Sequence, residues 1–389
     1  MTNISKLYAF SFLKMTLFPM AIITLFWKDQ IGLSLTQILL LQGIFSVATL
    51  IMEYPSGYIS DHLGYRFSLL FASALGVSGW GFYTVADSFA GVLLAEILLG
   101  ISFAFISGAD SALLFETLRQ DGRETEYARF DGRMNGFAQA GEAAGALFAG
   151  LLYAAAPLLP FFIQVGVWGL ALALCRTIKE PPREPRAAPA SHIKAALRTC
   201  RLALVDHREM RYTILLATFL GLASYFPVWL IQPHMQQSGV PLAWFGPVWA
   251  GANLTVALFS LLSHRFHYRL GEKGMAVLFL GLIVTGYLGL GLTGGVWSFL
   301  FYYLLTAMRG LQGPMLRTRL QNVSSRENRA SILSLKSLIF RLLFVASGPL
   351  VGHLADTSGL QSTFLLLAAV FAVALVPLGR LYLRHVLSP

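Results

Sequence analysis

Lys179 to Arg211 reads KEPPREPRAAPASHIKAALRTCRLALVDHREMR, the longest polar stretch in a chain of 389 residues that is 56% hydrophobic and only 12% charged. Its opening, EPPREPRAAPA from Glu180 to Ala190, is too rich in proline for a helix interior and suits an extended linker. Ser191 can then cap a helix on which Ile193, Leu197, Cys200 and Leu204 follow at spacings of 4, 3 and 4. Lys194, Arg198, Arg201 and Arg208 fall elsewhere around that helix, a pattern expected of a segment lying on the inner leaflet of a membrane. The stretch serves either as a tether or as a regulator of motion between what lies before and after it.

Working outward, apolar runs long enough to cross a bilayer recur on both sides, six before the linker and six after. They lie near 7–27, 35–59, 67–87, 91–114, 134–156, 158–177, 212–231, 242–263, 275–293, 296–316, 332–354 and 361–383. A mean hydropathy of +0.64 excludes a water-soluble domain. With the N-terminus inside, the cytoplasmic breaks and termini hold 24 of the 29 Lys and Arg residues, an asymmetry that a flipped topology would destroy. Both termini are therefore expected in the cytoplasm. The net charge of +10 reads as orientation and attraction to anionic lipid, not as a nucleic-acid surface. Cys175 and Cys200 fall on the reducing side, so no disulfide framework is implied. The first apolar run lacks a cleavage site and reads as a retained helix. An all-α membrane fold follows, with a first bundle over 1–178, a cytoplasmic linker with an amphipathic helix over 179–211 and a second bundle over 212–389.

The two halves repeat at an offset of 203 residues without a gap. Ser60, Tyr65 and Arg66 map onto Ser263, Tyr268 and Arg269, and Arg123 and Glu124 onto Arg326 and Glu327. Phe137, Ala143, Gly145 and Leu147 map onto Phe340, Ala346, Gly348 and Leu350. Two pseudo-symmetric six-helix bundles are implied. In carriers built this way the substrate sits near the bilayer midplane and the bundles rock about it.

The second break reads G-Y-I-S-D-H-L-G-Y-R from Gly57 to Arg66 and resembles the loop 2–3 signature of the major facilitator superfamily, G-x-L-x-D-R-x-G-R-[RK]. Gly57, Asp61, Gly64 and Arg66 match; His62 and Tyr65 depart. The glycines allow a tight reversal. The resemblance implies that Asp61 docks on the N-terminus of the eleventh helix, where a helix dipole favours an anion, and latches the cytoplasmic face. Gly132, Gly141, Gly145 and Gly150 are similar to the family's antiporter signature G-x8-G-x3-G-P-x2-G-G, with Ala146 and Ala149 departing from it. Small residues on one face let helix backbones approach, and the resemblance implies proton-linked export. A third signature is missing, because Glu96 precedes Gly100 where many proton-linked members carry arginine.

Ionisable groups at membrane depth are functional candidates. The first half offers Lys14, Glu53, Glu96, Asp110 and Glu142; the second offers Arg309, Lys336 and Arg341, with no carboxylate in its spans. Two readings stand side by side. Lys14 pairs with Glu53 or Glu142, and the arginines with backbone carbonyls or with Asp110, as fixed ion pairs. Alternatively Arg309 and Arg341 receive an anionic part of the substrate while a carboxylate of the first half, Glu142 before Glu53, carries protons. Tyr225, one turn before Trp229, is a further candidate to face substrate. His264 and His267 lack the further ligands a metal needs, and no cofactor is expected.

These features predict a monomeric twelve-helix secondary transporter in a bacterial inner membrane. Its expected work is proton-coupled export of a small amphipathic or anionic organic molecule. The alternatives are an uptake symporter of the same fold and a non-transporting receptor or scaffold. No nucleophile–base pair or phosphate-cradling loop points to an enzyme.

Overall fold

The computed structural model describes residues 2–181, 198–325 and 328–387, and among them no strand occurs. The twelve apolar stretches fall mainly on helical backbone, with breaks at Thr16 and Leu17 in the first and at Ser107 and Gly108 in the fourth. The first half contains α1 (Asn3–Met15) followed by short turns to Gln30, α2 (Leu35–Leu63), α3 (Tyr65–Tyr83), α4 (Phe89–Ile106), α5 (Ala109–Gln120), α6 (Tyr127–Leu147), α7 (Ala149–Ala155) and α8 (Leu159–Thr177). The second contains α9 (Arg208–Gln237), α10 (Leu242–Leu292), α11 (Leu300–Val323), α12 (Arg329–Ser358) and α13 (Leu360–Leu387). α10 holds two of the stretches, since its 51 residues far exceed the roughly 20 that one crossing needs, and Gly271 (φ 62) interrupts it. Seven helices are long and apolar enough to cross a membrane alone, or eight with the pair Asn3–Ala21 and Ile23–Gln30, bent by 48°. α3, α6 and α11 fall short: α3 carries Arg66 and several Ser and Gly, α6 carries Asp131, Arg133 and Glu142, and α11 carries Arg309, Arg317 and Arg319. The chain is a multi-pass membrane protein.

Local chemistry sets several boundaries. Ser34 and Gln37 close a reciprocal capping box at the start of α2, Gln37 N donating to Ser34 Oγ at 3.2 Å and Ser34 N to Gln37 Oε1 at 3.0 Å. Gly64 alone joins α2 to α3, at φ 116, a conformation that side chains rarely adopt. Gly57, by contrast, lies inside α2 with nothing near its Cβ position. The tight reversal that the sequence attributes to both glycines therefore rests on Gly64.

The described chain divides into two compact units, residues 2–181 with Pro241–Ala250 and residues 198–240 with 251–387. In the first, Trp27, Trp168, Tyr83, Phe26 and Phe161 are fully buried. Pro241–Ala250 joins this unit through small residues: a Cβ on Gly150 would stand 1.9 Å from Leu242 O, and one on Gly246 2.3 Å from Ala146 O. In the second unit Tyr287, Phe364 and Phe371 form the aromatic core. Ala203, Met210, Ile214, Leu320, Ile332 and Leu335 make a further buried cluster where the basic loops lie, with Cys200 and Leu204 packed on it. Ile193 and Leu197 lie outside the described residues. Of the four apolar residues expected on the linker's helix, Cys200 and Leu204 thus pack on protein.

Candidate functional site

The first membrane crossing is broken, and the break positions its lysine. α1 ends at Met15 with Lys14 in its last turn, and the chain resumes as a short turn at Phe18. The break leaves backbone groups that a straight helix would pair. Phe18 N donates to Gln164 Oε1 at 2.9 Å from α8, and Thr16 Oγ1 donates to Phe12 O at 2.8 Å. α6 lies against this irregular backbone along its glycines. A Cβ on Gly141 would be 2.2 Å from Phe12 O, and one on Gly145 2.6 Å from Leu17 N. Gly132 has open space around it, so of the four glycines in the antiporter-like pattern Gly141, Gly145 and Gly150 pack and Gly132 does not.

The fourth crossing is broken as well. Gly108, at φ 83, separates α4 from α5, and Asp110 sits in the first turn of α5. There its Oδ1 accepts from Ser111 N at 2.7 Å and its Oδ2 meets Lys14 Nζ. A cation in the last turn of one half-helix and an anion in the first turn of another both suit their helix dipoles, so the pair is favoured from each end. Both side chains are largely withdrawn from the surface, at 15% and 9% exposure. The partner found for Lys14 is thus Asp110, in its own unit, where the sequence offered Glu53 or Glu142 for Lys14 and, as one alternative, an arginine of the other half for Asp110. Asp131 of α6 completes the cluster within electrostatic reach of Asp110 and Lys14, hydrogen-bonded to Tyr127 and Asn135. Sequence reading missed it because α6 begins at Tyr127, seven residues before the apolar run. The i, i+4 series Tyr127, Asp131 and Asn135 was the available signal. Glu142 is half-buried beside Gly141, and Glu53 is exposed on α2.

The loops of this unit carry their own ion pairs. Asp61 is exposed on the last turn of α2. The amide donors that open α3 belong to a residue not foreseen: Tyr65 N and Arg66 N donate to Glu180 Oε1 and Oε2 at 3.0 and 2.7 Å. Arg66 Nη2 donates to Arg176 O at 2.8 Å, Asn3 exchanges two hydrogen bonds with the Lys179 backbone, and Lys6 Nζ reaches Thr177 O. Between α5 and α6, Arg123 Nε donates to Glu126 Oε1 at 2.7 Å and holds that carboxyl below its ordinary range.

In the second unit Arg341 stands on α12 between Phe340 and Phe344, both packed edge-on by Tyr225 of α9 at 5.4 and 4.8 Å. Its Nη1 is buried and without a hydrogen-bond partner among the described residues. Two carboxylates of this unit are occupied at the basic-loop end, Glu209 by Arg319 (2.6 Å) and Glu272 by Tyr382 (2.8 Å). Arg309 is exposed on α11, whose neighbouring Gly310 lies against Val256 O. His267 lies 3.4 Å from Glu272, and among the described residues no three His, Cys, Asp or Glu could hold a metal.

Residues 5–335 match the family model of the Major Facilitator Superfamily. Similar curated proteins come from Bacillus subtilis (strain 168). The uncharacterized MFS-type transporter YxaM is 22% identical over 393 residues, covering 96% of this chain and 94% of that protein. The hexuronate transporter is 23% identical over 374 residues, covering 90% and 86%. Among solved structures, the nucleoside transporter NupG aligns with a TM-score of 0.79 at 12% identity over 100% of this chain and 100% of that one. A bacterial homologue of the human lysosomal transporter Spinster, inward-facing and unoccupied, aligns with a TM-score of 0.75 at 16% identity over 98% and 97%.

Proposed function

The chain belongs to the Major Facilitator Superfamily and is a secondary transporter of a small molecule, not an enzyme; from that premise we propose that it exchanges an anionic or amphipathic organic molecule for protons by alternating access. The proposal places both termini in the cytoplasm, the monomer in a bacterial inner membrane and net movement outward. The observation that carries it is the Lys14–Asp110 pair held where two half-helices meet, with Asp131 beside it. A cation facing two carboxylates at a helix break is a charged cluster whose balance depends on its solvation, which makes it a place where alternating access could exchange a proton. Asp110 and Asp131 are accordingly the first coupling candidates, with Glu142 and Glu53 behind them. Arg341, with its unpartnered nitrogen, supports an anionic substrate, and Tyr225 and Arg309 are proposed to stand with it. Asp61 is proposed as the conformational latch, on the strength of the loop motif alone.

A second reading is proton-coupled uptake by the same fold; the likeness to the hexuronate transporter supports an anionic substrate under either reading. Direction is decided by assay in oriented proteoliposomes. For coupling, Asp110→Asn is expected to retain substrate counterflow and to lose transport driven by a pH gradient. Undiminished pH-driven transport in both Asp110→Asn and Asp131→Asn would remove the proposed coupling site.

A further inference from the structure

Glu96 lies seven residues into α4, away from the basic loops, and is 4% exposed. Gln42 Nε2 of α2 donates to its Oε2 at 2.9 Å, and the hydroxyl of Tyr83, the last residue of α3, meets its Oε1. Trp27, Trp80, Phe26 and Phe161 stand around Tyr83, and Gln42 and Tyr83 are buried with Glu96. We infer that this triad is a proton-binding site: Glu96 carries a proton at neutral pH, and gives it up only when the packing of α2, α3 and α4 loosens enough to admit water.

The argument is one of charge. An ionised carboxylate leaving water needs a cation or a full set of donors, and two neutral donors do not replace its hydration shell. Among the described residues no cation meets Glu96, and the one titratable group facing it is Tyr83. The other charges on the helices packed against α4 stand toward the opposite ends: Glu53 and Asp61 on α2, Arg66 on α3, and Asp110, Glu116 and Arg119 on α5. Lys28 and Asp29 follow Trp27 and are half-buried and exposed. The hydroxyl–carboxyl contact serves the neutral acid equally well, with Glu96 O–H donating to Tyr83 Oη. Nor does the fold require an acid here. At the offset of 203 residues the second half has Phe299, Phe245 and Gly286 in place of Glu96, Gln42 and Tyr83, and both phenylalanines are buried. The fourth crossing therefore carries two acids in different surroundings, Asp110 against the Lys14 ammonium and Glu96 against two neutral donors.

This inference stands apart from the coupling proposal, and its test needs neither substrate nor transport. Infrared spectra of the purified protein in lipid at neutral pH are compared between wild type and Glu96→Gln, which fills the same volume and cannot ionise. The expected difference is loss of one carboxylic C=O band. Loss of intensity in the carboxylate region instead, with the carboxylic region unchanged, overturns the inference. Tyr83→Phe provides a second arm should Glu96→Gln fail to fold, and removal of the hydroxyl partner is expected to shift that band. An unshifted carboxylic region in Tyr83→Phe overturns it equally.

Discussion

Lys14 closes the last turn of α1 and Asp110 opens the first turn of α5, so one ion pair bridges two helix breaks. Each break frees backbone groups that a continuous helix would satisfy internally, a cost tolerated at membrane depth only where protein or a cavity surrounds it. Here Gln164 and Thr16 take up part of that demand, and Asp110 accepts from Ser111 N while it meets Lys14.

Removing one member of this pair leaves the other buried without its opposite charge. Lys14→Gln is expected to destabilise the first unit by about 3–5 kcal/mol, the scale for breaking a buried pair. The double variant Lys14→Gln, Asp110→Asn should lose clearly less than the sum of the single changes. Thermal melts of the four proteins in one detergent measure both numbers. Additive losses would mean that the two side chains do not interact.

The glycines of α6 divide by what lies opposite them. Gly141→Ala and Gly145→Ala put a methyl against Phe12 O and Leu17 N, backbone atoms that cannot swing aside. Both are expected to depress the melting temperature and transport together. Gly132→Ala meets nothing and should be neutral or stabilising by up to ~1 kcal/mol, the helix preference of alanine over glycine. Equal damage at Gly132 and Gly141 would contradict this packing.

Much of this architecture was legible in the sequence. Hydropathy marks the helices, including the seven that are long and apolar enough to cross a membrane among the described residues, and the repeat of Arg66 in Arg269 and of Gly145 in Gly348 runs across the two halves. Hydropathy averages over a window, however, and so does not register where Thr16 or Gly108 interrupts a crossing. The partner of Lys14 depended on those interruptions, because they decide which turn of each helix faces which. Asp131 was missed for a related reason: α6 extends beyond its apolar run, and the polar residues of that extension resemble a loop. Glu180 sat unnoticed in a linker whose first residues prove to be fastened to the start of α3.

That fastening is testable. Glu180 supplies two acceptors to amides that would otherwise lack partners, at the positive end of α3. Glu180→Ala should cost about 1 kcal/mol, the usual worth of such a cap, read as a lowered melting temperature. Protease sensitivity near Lys179 should rise as the segment is released, while Asn3 and Lys6 still hold its backbone. Unchanged cleavage and unchanged melting would show that the cap contributes nothing.

The substrate class turns on Arg341. Its Nη1 is buried with no partner among the described residues, on a helix whose flanking Phe340 and Phe344 are held by Tyr225. A buried donor left unpaired is costly, and a carboxylate or phosphate arriving from solution would relieve that cost with two parallel hydrogen bonds. An ammonium cannot reproduce the planar fork, so Arg341→Lys should keep the charge and still weaken an anionic ligand by roughly tenfold, the effect of 1.4 kcal/mol. Arg341→Gln should weaken it further. A structural role would lower the melting temperature of the free protein in proportion to the lost affinity; a binding role would lower affinity while the free protein melts as before. Binding of small organic anions and cations, followed by ligand-induced thermal shift on wild type, Arg341→Lys and Arg341→Gln, separates the two. A ligand that is a simple cation, held equally well by all three proteins, would exclude Arg341 from the site.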